Sequence, residues 1–158
     1  MLDVVLYQPK IPQNTGNIVR SCSVTGSDLY LLPPLGFEPT DAQLKRAGLD
    51  YWLGVNVTIV EEDLDAWIKE RSKRCVFFSS KATKLYTNYV YEPDSILVFG
   101  SETHGLPDQW HQNYPDQFVT LPMVENARCL NLSTSVGIGL FEAWRQIGFQ
   151  GYKQKNAV

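Results

Sequence analysis

Cysteine is scarce in this chain. There are three, Cys22, Cys75 and Cys129, an odd number at wide spacing. That argues against a disulfide framework or a zinc ribbon and fits a reducing compartment. Only two histidines occur, His104 and His111, and neither has a partner at ligand spacing, so no metal site is expected. No apolar run reaches the roughly 18 residues of a membrane span. The opening MLDVVLYQP has no basic region and no long apolar core, so it does not read as a signal peptide. A soluble cytoplasmic protein without membrane association is the expectation. Surplus positive charge is also missing. The formal net charge is −3, which counts against nucleic-acid binding through the overall field. Local basic surfaces remain at Lys45 with Arg46 and around Arg71 and Arg74. A solvated helix face is the simpler account of each cluster taken alone.

Several catalytic signatures are absent too. There is no Gly-x-Gly-x-x-Gly and no Gly-Lys-Ser/Thr, so a phosphate cradle is not expected. There is no Gly-x-Ser-x-Gly elbow, and Ser133 has no obvious histidine partner, so a hydrolase triad is weakly supported. The chain shows no internal repeat, low-complexity tract or linker.

What is present fits one domain. The chain has 158 residues, enough for a single core. Residues 1–151 read as that domain and 152–158 as a frayed tail. Short apolar runs recur at 4–7, 29–32, 55–60, 75–78, 96–99 and 118–121. Most are continuous rather than alternating, as expected for strands covered on both faces. Helical patterns lie between them. One follows an Asn-rich loop, runs over 18–25 and stops at Gly26. Thr40 and Gln43 fit a capping box for a helix ending at Gly48. Asp63 can cap LDAWIKERSKR. Pro107 suits the first turn of PDQWHQNY. In the last helix, Leu132, Val136, Leu140, Trp144 and Ile147 fall at helical spacing behind an Asn131 cap. Strand, helix, strand, repeated along the chain, predicts an α/β domain with a six-stranded, mostly parallel sheet and helices on both faces.

In such sheets ligands bind outside the carboxyl ends of the strands, and three loops there are unusual. In PKIPQNTGNIVR, Asn14, Gly16 and Asn17 favour a tight turn and a cap, with Arg20 one turn into the helix. Arg20 reads equally as an exposed side chain or as a phosphate or RNA contact. In FGSETHGLP, Gly100 lets a ligand approach the backbone. Glu102 can accept from a sugar hydroxyl or hold its own loop's amides. In LPMVENARCLNLSTSVGIGLFEAW, Arg128, Asn131 and Ser133 crowd a helix start, where amides attract negative or polar groups. An Asn cap explains as much.

In this order and at these distances the three loops resemble the motifs of the SPOUT superfamily of RNA methyltransferases. The carriers are PQNTGNIVRSC, LVFGSETHGLP and LPMVENARCLNLSTSVGIGLFEAWRQ. With LKRAGLDYW added, the chain is similar to the small single-domain branch that methylates the ribose 2′-oxygen of tRNA nucleotide 34. The resemblance covers residues 1 to about 151. It implies a C-terminal trefoil knot, which sequence periodicity does not show. It implies S-adenosylmethionine as cofactor, bound bent at Phe78, Gly100, Leu121 and Cys129, largely through backbone atoms. It implies a homodimer with the site near the subunit interface, with the first and last helices, Phe141 and Trp144 as contact candidates. Its substrate would be the anticodon stem-loop of leucine tRNAs, with cytidine or modified uridine at position 34. Arg20 would act on the hydroxyl, either together with an RNA phosphate that takes the proton or by orienting alone. Asn14 and Asn17 would shape the pocket, and Glu102 and Asn131 would brace the loops and the ribose. Arg128, Lys45, Arg46, Tyr51 and Ser133 complete the candidate pocket and RNA contacts. The sequence departs from the pattern at His104, often basic, at Cys129, often Ser, and at Gln13, often Pro. Methylation of another RNA, or a knotted binding module without turnover, are the alternatives.

Overall fold

The computed structural model describes residues 1–38 and 54–153. The capping box at Thr40 and Gln43, the helix ending at Gly48, and Lys45, Arg46 and Tyr51 lie outside the described residues, as does most of the tail.

Six strands form one sheet: β1 (Asp3–Tyr7), β2 (Asp28–Leu32), β3 (Val57–Ile59), β4 (Cys75–Phe78), β5 (Ile96–Phe99) and β6 (Phe118–Val119). Their order is β3-β2-β1-β5-β4-β6, and every pair is parallel. Among the described residues the helices are α1 (Pro12–Thr25), α2 (Leu64–Arg71), α3 (Asp108–Asn113) and α4 (Leu132–Gln146). None of the described helices is long and apolar enough to cross a membrane.

The continuous apolar strands are explained by two cores. Val4, Leu6, Val76, Phe78, Leu97 and Phe99 face α1 and α4. Val5, Cys75, Phe77, Ile96 and Val98 face Trp67 and Ile68 of α2 and Trp110 of α3. Successive residues thus alternate between two buried layers, which removes the polar half of the usual period of two.

Local capping follows the sequence at several points. Gly26 ends α1 with φ of 71° and donates its N–H to the Cys22 carbonyl. Asp63 accepts from the Ala66 N–H at 3.1 Å. Asn131 caps α4, accepting from Ser133 N–H and Thr134 N–H.

Four expectations change. First, α1 starts at Pro12, so the Asn-rich stretch is helix and not a tight turn. Ile11 occupies its cap position and supplies no side-chain bond. Pro12 is preset for a first turn, and the acceptor for the two amides before it comes from elsewhere in the chain. Second, β3 and β6 are shorter than their apolar runs, with Thr120 adding only a single bridge to Leu85. Third, Pro107 occupies the cap position of α3 and not its first turn, and α2 gives way to a short 3-10 turn over Ser72–Arg74. Fourth, the β4–β5 connection has no α-helix. Instead Gln146 of α4 pins it, donating to the Tyr89 carbonyl at 3.1 Å and accepting from the Tyr91 N–H at 3.2 Å.

Candidate active site

A cavity of about 510 Å³ opens at the carboxyl ends of β4, β5 and β6, walled by the start of α1 and the start of α4. Its volume lies within the roughly 300–1,000 Å³ of small-molecule sites. Phe78, Gly100, Leu121 and Cys129 all line it. Its floor is apolar. The Phe78 and Phe99 rings stack with centroids 4.4 Å apart and planes at 17°, and Leu106 adds a buried side chain. One edge is polar, made by Asn14, Glu102 and Asn131. An apolar floor with a few convergent polar groups suits the adenosine and amino-acid parts of S-adenosylmethionine.

The close approach at Gly100 is made by the protein itself. A Cβ there would lie 2.5 Å from the Gly105 Cα and 2.6 Å from its carbonyl oxygen. Ser101 and Gly105 exchange two backbone hydrogen bonds, of 3.2 and 3.1 Å, which fold the loop back on itself. Gly105 turns the corner with φ of +68°, a region that favours glycine. The first glycine therefore makes room for the second, and the bare backbone at Gly100 faces the cavity as a result.

Glu102 does not hold its own loop. It accepts from the Lys10 N–H at 2.8 Å, the Ile11 N–H at 3.2 Å and Asn14 Nδ2 at 2.9 Å. It therefore fixes the entry to α1, taking the amides of the two residues that precede the first turn. A carboxylate there is also favoured by the helix dipole. Asn14 is buried, and its Oδ1 accepts from Asn131 Nδ2 at 2.9 Å. Asn131 Oδ1 in turn accepts from the Ser133 N–H at 2.9 Å and the Ser133 hydroxyl at 2.7 Å. One hydrogen-bond chain thus joins residues from all three unusual loops.

Other candidates stand apart. Arg20 and Asn17 are exposed on α1 and are not on the cavity wall. Arg20 was expected one turn into its helix. It sits further along because α1 starts at Pro12. Arg128 is exposed in the loop before α4. Arg46 lies outside the described residues. The cluster around Arg71 and Arg74 immediately precedes β4 and so lies at the amino ends of the strands, opposite the cavity. There Arg71 stacks over the Trp67 ring at 4.3 Å and pairs with Glu70 at 2.7 Å.

The structure adds wall residues that the motifs did not single out, among them Lys81, His111, Thr120 and Ser135. Ser79 to Lys81 directly follow β4, so the carboxyl-end rule applied to every strand would have pointed there. Lys81 pairs with Asp108 at 2.9 Å and holds that exposed carboxyl below its usual range. His111 stacks on Phe118 with centroids 3.8 Å apart, its Nε2 3.4 Å from the Ser79 hydroxyl. Burial pushes its imidazole below the usual range, Lys81 adds to this, and Asp108 opposes it.

Residues 1–141 match the SpoU rRNA Methylase family. The chain belongs to the SpoU methylase family. Within it, a Methylovorus glucosotrophus protein named tRNA (cytidine(34)-2′-O)-methyltransferase is 45% identical over 153 residues, covering 96% of this chain and 99% of the relative. A solved structure described as giving insights into the 2-OH methylation of C/U34 on tRNA matches with a TM-score of 0.86 and 36% identity, over 93% of this chain and 96% of its own. The Streptomyces viridochromogenes SpoU methyltransferase AviRb in complex with AdoMet shares the fold, with a TM-score of 0.80 and 23% identity over 93% of this chain and 58% of AviRb.

Proposed function

We propose that this SpoU methylase transfers a methyl group from S-adenosylmethionine to the ribose 2′-hydroxyl of tRNA nucleotide 34, with cytidine there as the primary substrate. The observation that carries the reading is the convergence of Asn14, Glu102 and Asn131 on the polar edge of one cavity whose wall also includes Phe78, Gly100, Leu121 and Cys129. Full-length likeness to a relative named for that reaction supports it.

S-adenosylmethionine, when bound, supplies a methyl group already activated by its sulfonium charge. The remaining task for the protein is positioning. Phe78, Phe99 and Leu106 give an apolar bed that excludes water. The bare backbone at Gly100 and the loop at Leu121 and Cys129 offer main-chain polar groups. Arg20 orients the ribose hydroxyl and its neighbouring phosphate. A guanidinium is a poor general base, so Arg20 is assigned to orienting and not to taking the proton itself. Arg128 and Arg46 contact the anticodon stem-loop by charge, which fixes the RNA without reading its sequence.

The family's trefoil knot, with α4 threaded past the cavity loops, belongs to this reading. So does a cytoplasmic homodimer. Trp144 is buried in its own chain and donates Nε1–H to the Gln150 carbonyl at 3.0 Å, so it is spent within the protomer. Val24, Ile138 and Phe141 are exposed apolar side chains on α1 and α4 and are the contacts we assign to the dimer.

The test uses total tRNA from cells lacking this protein. It is incubated with purified protein and S-adenosylmethionine, digested, and its 2′-O-methyl nucleosides are mapped by mass spectrometry. A new methyl on the ribose of nucleotide 34 is expected. Its absence, in a preparation that binds the cofactor, would overturn the assignment. Arg20→Ala should abolish methylation while cofactor binding persists.

A further inference from the structure

Arg20 is assigned to the ribose hydroxyl, yet it lies outside the cavity wall. Along α1, the step from Pro12 to Arg20 spans roughly 12 Å at 1.5 Å per residue. Arg20 thus rides on a helix that is packed on the core through Ile18, Val19 and Cys22 and tied to the cavity at its start. That start is held by the chain from Glu102 through Asn14 to Asn131.

The direction of this chain is fixed by chemistry. An ionised Glu102 can only accept, so Asn14 must turn Nδ2 toward it and Oδ1 away. The Ser133 and Thr134 amides can only donate, so Asn131 must turn Oδ1 toward them and Nδ2 toward Asn14. Every link is determined by the two helix starts at its ends, and no link can flip alone. Asn14, Glu102 and Asn131 also line the cavity, so a bound cofactor packs against all three links.

We propose that the Glu102–Asn14–Asn131 chain is a positioning device that holds the Arg20-bearing helix in register with the cofactor cavity, and that it makes cofactor and RNA binding interdependent. The inference rests on the methyl-transfer reading above. A cofactor that fills the cavity excludes water from the chain and stiffens it, so RNA then meets α1 already placed. Such coupling is reciprocal.

The test exploits the fixed direction. Asparagine and aspartate cap helices about equally well, and a negative charge suits a helix start. Asn131→Asp therefore keeps the cap of α4 and replaces only the donor to Asn14 by an acceptor. Glu102→Gln supplies a donor at the other end. In the double variant the chain can run backwards. The introduced glutamine donates its amide to Asn14 Oδ1, and Asn14 Nδ2 donates to the introduced aspartate. The glutamine's carbonyl oxygen keeps the Lys10 amide. Only the longer bond to the Ile11 amide is lost.

The measurement is fluorescence anisotropy of a labelled anticodon stem-loop with cytidine at position 34, with and without saturating S-adenosylhomocysteine. In the unmodified protein, S-adenosylhomocysteine should tighten RNA binding roughly fivefold or more, the lower end of typical couplings. In Asn131→Asp the factor should fall to about one, with a loss of melting temperature of a few degrees from the unpaired Asn14 Oδ1 that the double variant restores. In the double variant the factor should recover. Absence of coupling in the parent, full coupling in Asn131→Asp, or a double variant no better than the singles would each overturn the proposal. Nucleotide mapping by mass spectrometry is independent of this factor, so a failed coupling with intact methylation at nucleotide 34 rejects the device and leaves the function standing. Absence of stem-loop binding under both conditions would count against the tRNA reading and remove this inference with it.

Discussion

Gly139 of α4 rests on the edge of the Phe78 ring. A Cβ at that glycine would stand 2.7 Å from Phe78 Cζ and 3.2 Å from Phe99 Cζ. Because the two rings are stacked on one another, neither can swing aside without opening the floor of the cavity.

Gly139→Ala should therefore destabilise the fold by about 1–3 kcal/mol, as overpacking does, and weaken cofactor binding. Gly137, two residues earlier in α4, has nothing within 4 Å of its Cβ position. Gly137→Ala should stabilise by about 0.5–1 kcal/mol from the helix-propensity gain. Urea unfolding of the two variants checks the pair. Equal effects would contradict the packing.

Gly100 and Gly105 should differ in the same way for another reason. Gly100→Ala drives a methyl group into the Gly105 backbone, which is not a flexible side-chain end. It should abolish measurable cofactor binding by calorimetry. Gly105→Ala meets open space, and only its φ of +68° resists. It should lower stability by about 1–2 kcal/mol, the left-handed penalty for a residue with a Cβ, and retain binding.

The three thiols divide by burial. Cys22 and Cys75 are fully buried, and burial pushes both up to about 12 from an ordinary 9.0. At pH 8 the folded chain should show alkylation by iodoacetamide at Cys129 alone, and S-adenosylhomocysteine should slow it because Cys129 lines the cavity. Peptide mass spectrometry reads both effects. The raised values also set a sign. The stability gained by keeping these two thiols neutral is complete below pH 9 and is lost as pH rises from there toward 12.

Asp63 offers a control remote from the cavity. It caps α2 through the Ala66 amide, and Asp63→Ala should cost about 0.5–2 kcal/mol of stability. Methylation at a temperature well below the melting point should be unchanged.

The strands and the caps at Gly26, Asp63 and Asn131 were legible because each depends on neighbours within a few residues. So was the α/β architecture, since continuous apolar runs between helical patterns leave little else. The start of α1 was not legible. Ile11 has no capping side chain, and the group that satisfies its amide lies in another loop. The four residues that the motif match named, Phe78, Gly100, Leu121 and Cys129, share one cavity wall. The match did not supply the close approach of Gly105 to Gly100, which only the folded loop reveals. His111 and Lys81 belong to no motif; Lys81 was within reach of the carboxyl-end rule because it follows β4, while the place of His111 follows from tertiary packing.

The long reach of Glu102 also bears on how the protein is made. Lys10 and Ile11 leave the ribosome early, and their shared acceptor follows 92 and 91 positions later. Asn131 joins only after a further stretch of synthesis. Until Glu102 is made the Lys10 and Ile11 amides lack this acceptor, and closing so long a loop is entropically unfavourable. A nascent chain cut short before Asn131 has the strands of the sheet and Glu102 but lacks the α4 side of the cavity. The cavity is therefore closed only once α4 has been made, the last of the described helices to leave the ribosome.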